Sequence, residues 1–461
     1  MTSTIAQVVL GAFIPLAIGL FFVMRPLTAA LAVALCGDLF LPVGAFFHIP
    51  GLPYLDKQNL PYVCILVGCL FSCPKRVTKL PKEKWFVLVS LFAILSGIIT
   101  GYNNGDTFPC GITGAVEAHA MSIRDGVAMG LLGFIQYCLT FYLGYTLVRG
   151  MEDIDKVLIA FGVAGIAYTP LAIYELRMSP QIHALVYGYG LGAFNQGVRW
   201  GGYRPTVFMP HGLALARFFM VATLALFVVA KTRRRILGVP TSLLFWFQAL
   251  VLVLCKSVGA IVMTVAGVLL LALVKPRRQL LVASVLAVVT LLYPLLRTTQ
   301  LFPVADFLNA AGSLEDERKE SLAFRFANED ILLAHAAKRI GFGWGTYGRN
   351  LVCNDAGINI TVTDGFWIIV LGQAGLAGFL ISFGVLVLPS LLARRRLRDH
   401  GSGRQKRQLA GFTLILVLAT VDLIPNGLWC LYPFFLAGAL TRCLRELEPA
   451  DLETQAHRPV P

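Results

Sequence analysis

Arg199, Arg204 and Arg217 fall in one stretch, "RWGGYRPTVFMPHGLALARFF" (199–219), together with His211 and two adjacent glycines at 201 and 202. A guanidinium grips phosphate through two parallel N–H···O bonds, and a lysine ammonium adds a compact point charge. Lys256, in "LCKSVGAIV" (254–262), repeats the pattern inside a run that is otherwise free of charge. Further along, Arg325, Glu329, His335 and Arg339 share one predicted helix, and Asp364 stands just before the next apolar run. Cations of this kind suit a diphosphate, and a carboxylate or imidazole nearby suits proton transfer. Trp344 and Tyr347 suit stacking on a sugar ring or, equally, an interfacial aromatic belt.

The elements that must position these residues are membrane helices. The 461 residues are 57% hydrophobic and 14% charged, against about a quarter charged in a soluble domain. Apolar runs recur near 5–24, 27–47, 59–73, 84–101, 126–148, 157–174, 211–230, 241–255, 257–274, 279–296, 366–392, 409–424 and 427–441. Most approach the length that crosses roughly 30 Å of hydrocarbon. The expectation is an all-α polytopic membrane protein with about 12–13 transmembrane helices. A barrel would need short alternating strands, which are absent. The chain reads as one integral membrane domain (1–461) with a polar cytoplasmic tail at 446–461. The N-terminus has no basic segment before its first apolar run, so that run reads as a retained span.

Basic clusters at 74–84, 231–235, 275–278 and 394–407 fall on one side of this topology. By the positive-inside rule that side is cytoplasmic, and topology accounts for most of the +14 net charge. No nucleic-acid partner is expected. Loops 102–125, 175–210 and 297–365 then face outward, the last partly helical and reading as a periplasmic loop. Arginines in an outer loop run against the same rule, and Arg217, about two turns inside a span, is costly unless it has a role. Each has a plainer reading. Arg217 can snorkel, Lys256 can mark a turn, and Glu329 and Arg339 can lie on a solvated helix face. Asp38 and Asp422, in or near spans, read as polar helix–helix contacts. Ten cysteines lack CxxC pairs, so no metal site is expected; Cys110 and Cys353 can pair if the outer side is oxidising.

In "YRPTVFMPHGLALA" (203–216), "CKSVGAIVMTVAGVLLL", "FRFANEDILLAHAAKRIGFGWGTYGRN" and "LGQAGLAGFL", the chain resembles the O-antigen ligase and Wzy-type polymerase superfamily over roughly 200–392. The resemblance implies a glycosyltransferase of the C type on the periplasmic face of a bacterial inner membrane. The donor it implies is an undecaprenyl diphosphate-linked oligosaccharide, the acceptor a glycan or lipid, and no cofactor or metal is required. Arg204 matches the family's first outer-loop arginine and Arg325 its second, both neutralising the departing diphosphate; Arg199, Arg217 and Lys256 read, on their own charge, as further binding groups in a cationic rim on the outer leaflet. Many ligases carry His-Asn where the chain re-enters the membrane. This chain reads Thr363-Asp364-Gly365 there, which leaves Asp364, His335 or His211 as the general base. That departure favours a polymerase, or a ligase for another exported polysaccharide, over a lipid A-core ligase.

Two other readings fit the intramembrane charges: a transporter or flippase for a lipid-linked substrate, and a non-catalytic subunit of polysaccharide export machinery. Transporters often show paired broken helices, and no such pair is evident in the sequence.

Overall fold

The computed structural model describes residues 3–49, 52–79, 81, 83–108, 110, 119–192, 197–199, 201–313 and 316–447. The expected tail lies outside the described residues from 448 onward. The helices among them are α1 (Thr4–Val23), α2 (Pro26–Phe40), α3 (Leu60–Ser72), α4 (Pro74–Val77), α5 (Lys84–Asn103), α6 (Ile123–Gly133), α7 (Thr140–Leu147), α8 (Met151–Met178), α9 (Ile182–Tyr187), α10 (Gly212–Ala230), α11 (Thr241–Leu254), α12 (Val258–Leu273), α13 (Pro276–Thr298), α14 (Val304–Gly312), α15 (Asp316–Ala337), α16 (Phe366–Asp399), α17 (Gly403–Val421) and α18 (Tyr432–Arg445). A π-helical turn, Phe134–Leu139, joins α6 to α7. Three two-residue hairpins complete the regular structure, one of them β3 (Val198–Arg199) with β4 (Gly202–Tyr203), numbered after a first hairpin, β1 (Phe46–Phe47) with β2 (Leu55–Asp56).

Every span expected from the sequence overlaps a helix. Seven helical stretches are long and apolar enough to cross a membrane: α1, α5, α6 with α7, α8, α10, α13 and α16. The shorter α2, α3, α11 and α12 are apolar too. The protein is a mostly helical, multi-pass membrane protein. Its basic segments converge at one end: Arg445 Nη1 donates to Glu83 (3.2 Å), Gln408 bonds Asp155, and Lys231 donates to the Leu271 carbonyl. The long loops gather at the other end, termed the loop face below.

Helix α10 is buried nearly all round, as an apolar helix at the centre of a bundle must be. It packs on α8, α11, α12 and α17. Small residues let other helices meet backbone to backbone. A Cβ on Gly97 would stand 2.3 Å from Gly130 N, and one on Gly101 2.7 Å from Gly126 Cα, so α5 and α6 interlock through two glycine pairs. The α7–α18 contact is tighter still, with a Cβ on Gly438 falling 1.9 Å from the Phe141 carbonyl oxygen and one on Gly144 2.0 Å from that of Phe435. Gly438→Leu is expected to cost about 3 kcal/mol or more, because backbone cannot yield as a side chain can. A fall in thermal unfolding temperature in detergent, absent for Gly259→Leu where a Cβ meets nothing, checks it.

Helix α16 is broken at Gly375 (φ 64°, ψ −163°). Segment 340–345 pairs the freed backbone: Leu376 N donates to the Ile340 carbonyl (2.7 Å), while Trp344 N and Gly345 N donate to those of Gly372 and Gln373 (both 2.8 Å). The Gly-x-x-Gly-x-x-Gly run is therefore a break with its own backbone partners, and the chain does contain a broken helix that the sequence reading lacked.

Candidate functional site

Arg204 sits on a tightly pinned loop between β4 and α10. Glu175, fully buried at the end of α8, accepts from Thr206 N (2.8 Å), Val207 N (2.6 Å) and Ile182 N (2.8 Å). Val207 has φ +53°, a conformation that a β-branched residue holds only when its surroundings impose it. Lys57 Nζ donates to the Leu41 and Phe208 carbonyls, each at 2.8 Å. Gly212 completes the seat: a Cβ there would lie 2.7 Å from Arg204 Cγ and Cδ. Nothing in the sequence around Glu175 or Lys57 points to this role. A buried carboxylate satisfied by three backbone N–H groups leaves no mark in local sequence.

Arg325 comes from a separate element, α15, which packs on α14 and α16. Glu329 locks that helix down. Its Oε2 accepts from Tyr293 Oη (3.1 Å) and Arg297 Nε (3.2 Å), and its Oε1 from Trp367 Nε1 (3.2 Å). Arg297 also donates to Asp330 Oδ1 (2.7 Å) and the Phe326 carbonyl (3.2 Å). Glu329 is thus buried and ion-paired, not on the solvated face expected of it, and it does not pair with Arg325.

Arg325 Nη1 donates to the Pro425 carbonyl (3.1 Å), and its Nε is 3.8 Å from Asp364 Oδ2, both side chains about a quarter exposed. Arg204 is buried, and its Nε has no hydrogen-bond partner. Burial lowers the Arg204 pKa to about 10, with the charges of Arg199 and Arg325 adding to the effect, so it stays cationic at neutral pH. His211 is pushed down to about 4 by burial and then by Arg204, Arg325 and Arg199. Burial raises Asp364 above the ordinary carboxylate range, against the pull of Arg325. Arg199, Arg204, His211, Arg325 and Asp364 are thus brought into one electrostatic neighbourhood in which cations outnumber the carboxylate.

The other expected site residues lie elsewhere or do other work. Lys256 (φ +55°) donates from Nζ to the Arg199 carbonyl (2.8 Å), tying the β3–β4 hairpin to the α11–α12 turn. Gly202 leaves room for that ammonium, which would stand 2.4 Å from a Cβ there; Gly201 (φ +65°) makes the turn. Arg217 is not on the rim: it is almost wholly buried in α10, with Nη1 3.5 Å from Asp422 Oδ2. His335 is ten residues from Arg325 on α15, about 15 Å away along the axis. It is buried, its ring is stacked on Trp344 at 4.2 Å, and its Nε2 is bonded to the Arg349 carbonyl (3.1 Å). Trp344 is buried in the same stack, with Arg339 over its ring at 4.3 Å, so neither His335 nor Trp344 is exposed to a substrate. Tyr347 is exposed, with its hydroxyl 3.5 Å from Thr363 Oγ1 beside Asp364.

Arg339, expected in solvent, pairs with Asp106 (2.8 Å), as does the fully buried Arg349 (3.1 Å). Cys110 and Cys353 form a disulfide next to this network. Replacing both cysteines by alanine is expected to cost about 2–5 kcal/mol. Intact-mass thiol labelling under denaturing conditions should find eight reactive thiols before reduction and ten after. Among the described residues no group of His, Cys, Asp and Glu could hold a metal ion. Compared with protein-family models and with curated proteins, the chain matches none.

Proposed function

We propose that the protein is a membrane glycosyltransferase. In this reading it moves a saccharide from an undecaprenyl diphosphate-linked donor to a glycan or lipid acceptor, as a polysaccharide polymerase or an O-antigen ligase-like enzyme. The loop face is then the periplasmic face of a bacterial inner membrane, and the chain crosses twelve or thirteen times. The observation that carries the reading is that Arg204 and Arg325, from separate elements, lie within electrostatic reach of each other, with Asp364 beside Arg325. The acceptor oxygen attacks the anomeric carbon, the bond to the diphosphate oxygen breaks, and that oxygen takes the electron pair. Arg204 and Arg325 stabilise the charge as it develops, which is commonly a large share of catalysis.

His211 Nδ1 accepts a hydrogen bond from Leu213 N (3.1 Å). A backbone N–H only donates, so the neutral ring carries its proton on Nε2 and donates there. That leaves Asp364 to take the acceptor's proton. Activity should therefore fall with decreasing pH along a limb above the ordinary carboxylate range. Arg325 lowers the Asp364 pKa, so in Arg325→Gln the residual activity should fall off at still higher pH. A limb that does not move with this substitution removes Asp364 from the base role.

The transport reading keeps two observations in its favour, the broken α16 and the buried Arg217–Asp422 pair. An in vitro assay separates the two. Purified protein in nanodiscs receives undecaprenyl diphosphate-linked oligosaccharide and acceptor, with wild type set against Arg204→Ala, Arg325→Ala and Asp364→Ala. Product from wild type, and its loss in the arginine variants, supports transfer. Tight binding without turnover for any acceptor favours transport.

A further inference from the structure

Arg217 lies six residues below His211, about 9 Å along α10. Its Nε and Nη1 make no hydrogen bond, and neither does the Asp422 Oδ2 that faces it at 3.5 Å. The Tyr432 hydroxyl, buried beside the Cys430 thiol, and the Trp429 indole N–H are likewise without partners. Asp38 on α2 is within electrostatic reach of Arg217 and Lys57. It is only half-buried, and among the described residues no hydrogen bond reaches its carboxylate. A charge at membrane depth is costly, and unpaired polar atoms there more so.

The backbone at this level is irregular as well. Helix α18 has 14 residues, about 21 Å, which is short of the hydrocarbon thickness. In the proposed topology the non-helical segment 423–431 would supply the rest of the crossing. Such backbone is tolerated at depth only where protein buries it or where it lines a wet cavity. The same segment borders the outer cluster, through the Pro425 carbonyl on Arg325 and through Gly427 against the Thr363 and Asp364 carbonyls. Its far end, at Cys430, continues into Tyr432 beside Arg217. One stretch of chain therefore runs from the diphosphate cluster down to the orphaned polar groups.

The charges of the inner cluster balance, Arg217 and Lys57 against Asp38 and Asp422, so neither a phosphate nor a bare cation is favoured. Donors and acceptors that make no hydrogen bond stand beside one another, held only by the Arg217–Asp422 ion pair. A hydroxyl group, which donates and accepts from one atom, matches that set. We propose that Arg217, Asp422, Asp38 and Tyr432 form a second binding subsite beneath the outer cluster, for the uncharged hydroxyl-rich ring of the donor saccharide. The subsite rests on the reading that the outer cluster holds the diphosphate.

Binding to protein in nanodiscs tests it with two probes, undecaprenyl diphosphate alone and the same lipid carrying its oligosaccharide. Wild type is expected to hold the glycosylated lipid about tenfold more tightly, the scale of one or two hydrogen bonds to charged groups. Asp38→Asn and Tyr432→Phe, both nearly isosteric, should each remove most of that preference and leave the Kd of the bare lipid within about twofold, as those groups would not touch the diphosphate. Should one variant fail to fold, the other decides. No preference in wild type, or an intact preference in a folded variant, overturns the subsite. The outer reading fails separately, if Arg204→Ala leaves the binding of both lipids unchanged.

Discussion

Arg325→Ala should lower the transfer rate by about 10²–10³-fold, the usual loss when one donor to a developing oxyanion is removed. The side chain is partly exposed and bonds only a carbonyl and a distant carboxylate, so the fold should survive and the loss should lie in kcat. Arg325→Lys keeps the charge but not the two-pronged geometry, and should recover part of the rate. Arg204→Ala should lose at least as much, with a small cost in stability because its side chain fills the space above Gly212. Steady-state kinetics with a defined donor, alongside thermal unfolding of each variant, would read both effects. A loss under about fivefold for a folded Arg325→Ala would falsify its role at the leaving group, because a donor to that group carries far more.

Arg297→Leu is expected to be the most damaging substitution for the loop face. Both side chains of the Arg297–Glu329 pair are nearly inaccessible. Removing one partner strands a buried charge at a cost of about 3–5 kcal/mol, whereas removing both is often close to neutral. The double variant Arg297→Leu with Glu329→Leu should therefore regain most of the lost stability. Unfolding in detergent, followed by tryptophan fluorescence since Trp367 donates to Glu329, would check this. If the double variant is no better than the single one, the pair is not what holds α15. Activity should fall with stability in the single variant, because α15 carries Arg325.

Much of this organisation is legible in the sequence. Apolar runs announce spans because hydrocarbon thickness sets their length, and each overlaps a helix in the structure. Arg204 stands out because arginines in an outer loop contradict the charge rule that the rest of the chain obeys, whereas Arg325 and Asp364 stand out through the resemblance. What was not legible depends on long-range partners. Arg297, at the end of a span, looks like an ordinary interfacial residue until Glu329 meets it. By its own charge Arg217 belongs to a cationic rim, because its carboxylate is remote in sequence, at Asp422 just past the end of α17; the polar contact expected of Asp422 is that pair. His335 and Trp344 have the composition of a sugar site, yet they stack on each other. Their spacing gives a shared helix–turn, and only packing shows that both rings are buried.

The glycine clasp between α7 and α18 also has a consequence in time. Gly144 leaves the ribosome some 290 residues before Gly438, its counterpart in the close approach. At about 5–20 residues per second that interval is roughly 15–60 s. Throughout it, α7 stands in the bilayer with a bare groove where its partner belongs, open to lipid, to insertion chaperones or to quality-control proteases. The late arrival of α18 thus marks the end of a defined window of vulnerability during biogenesis.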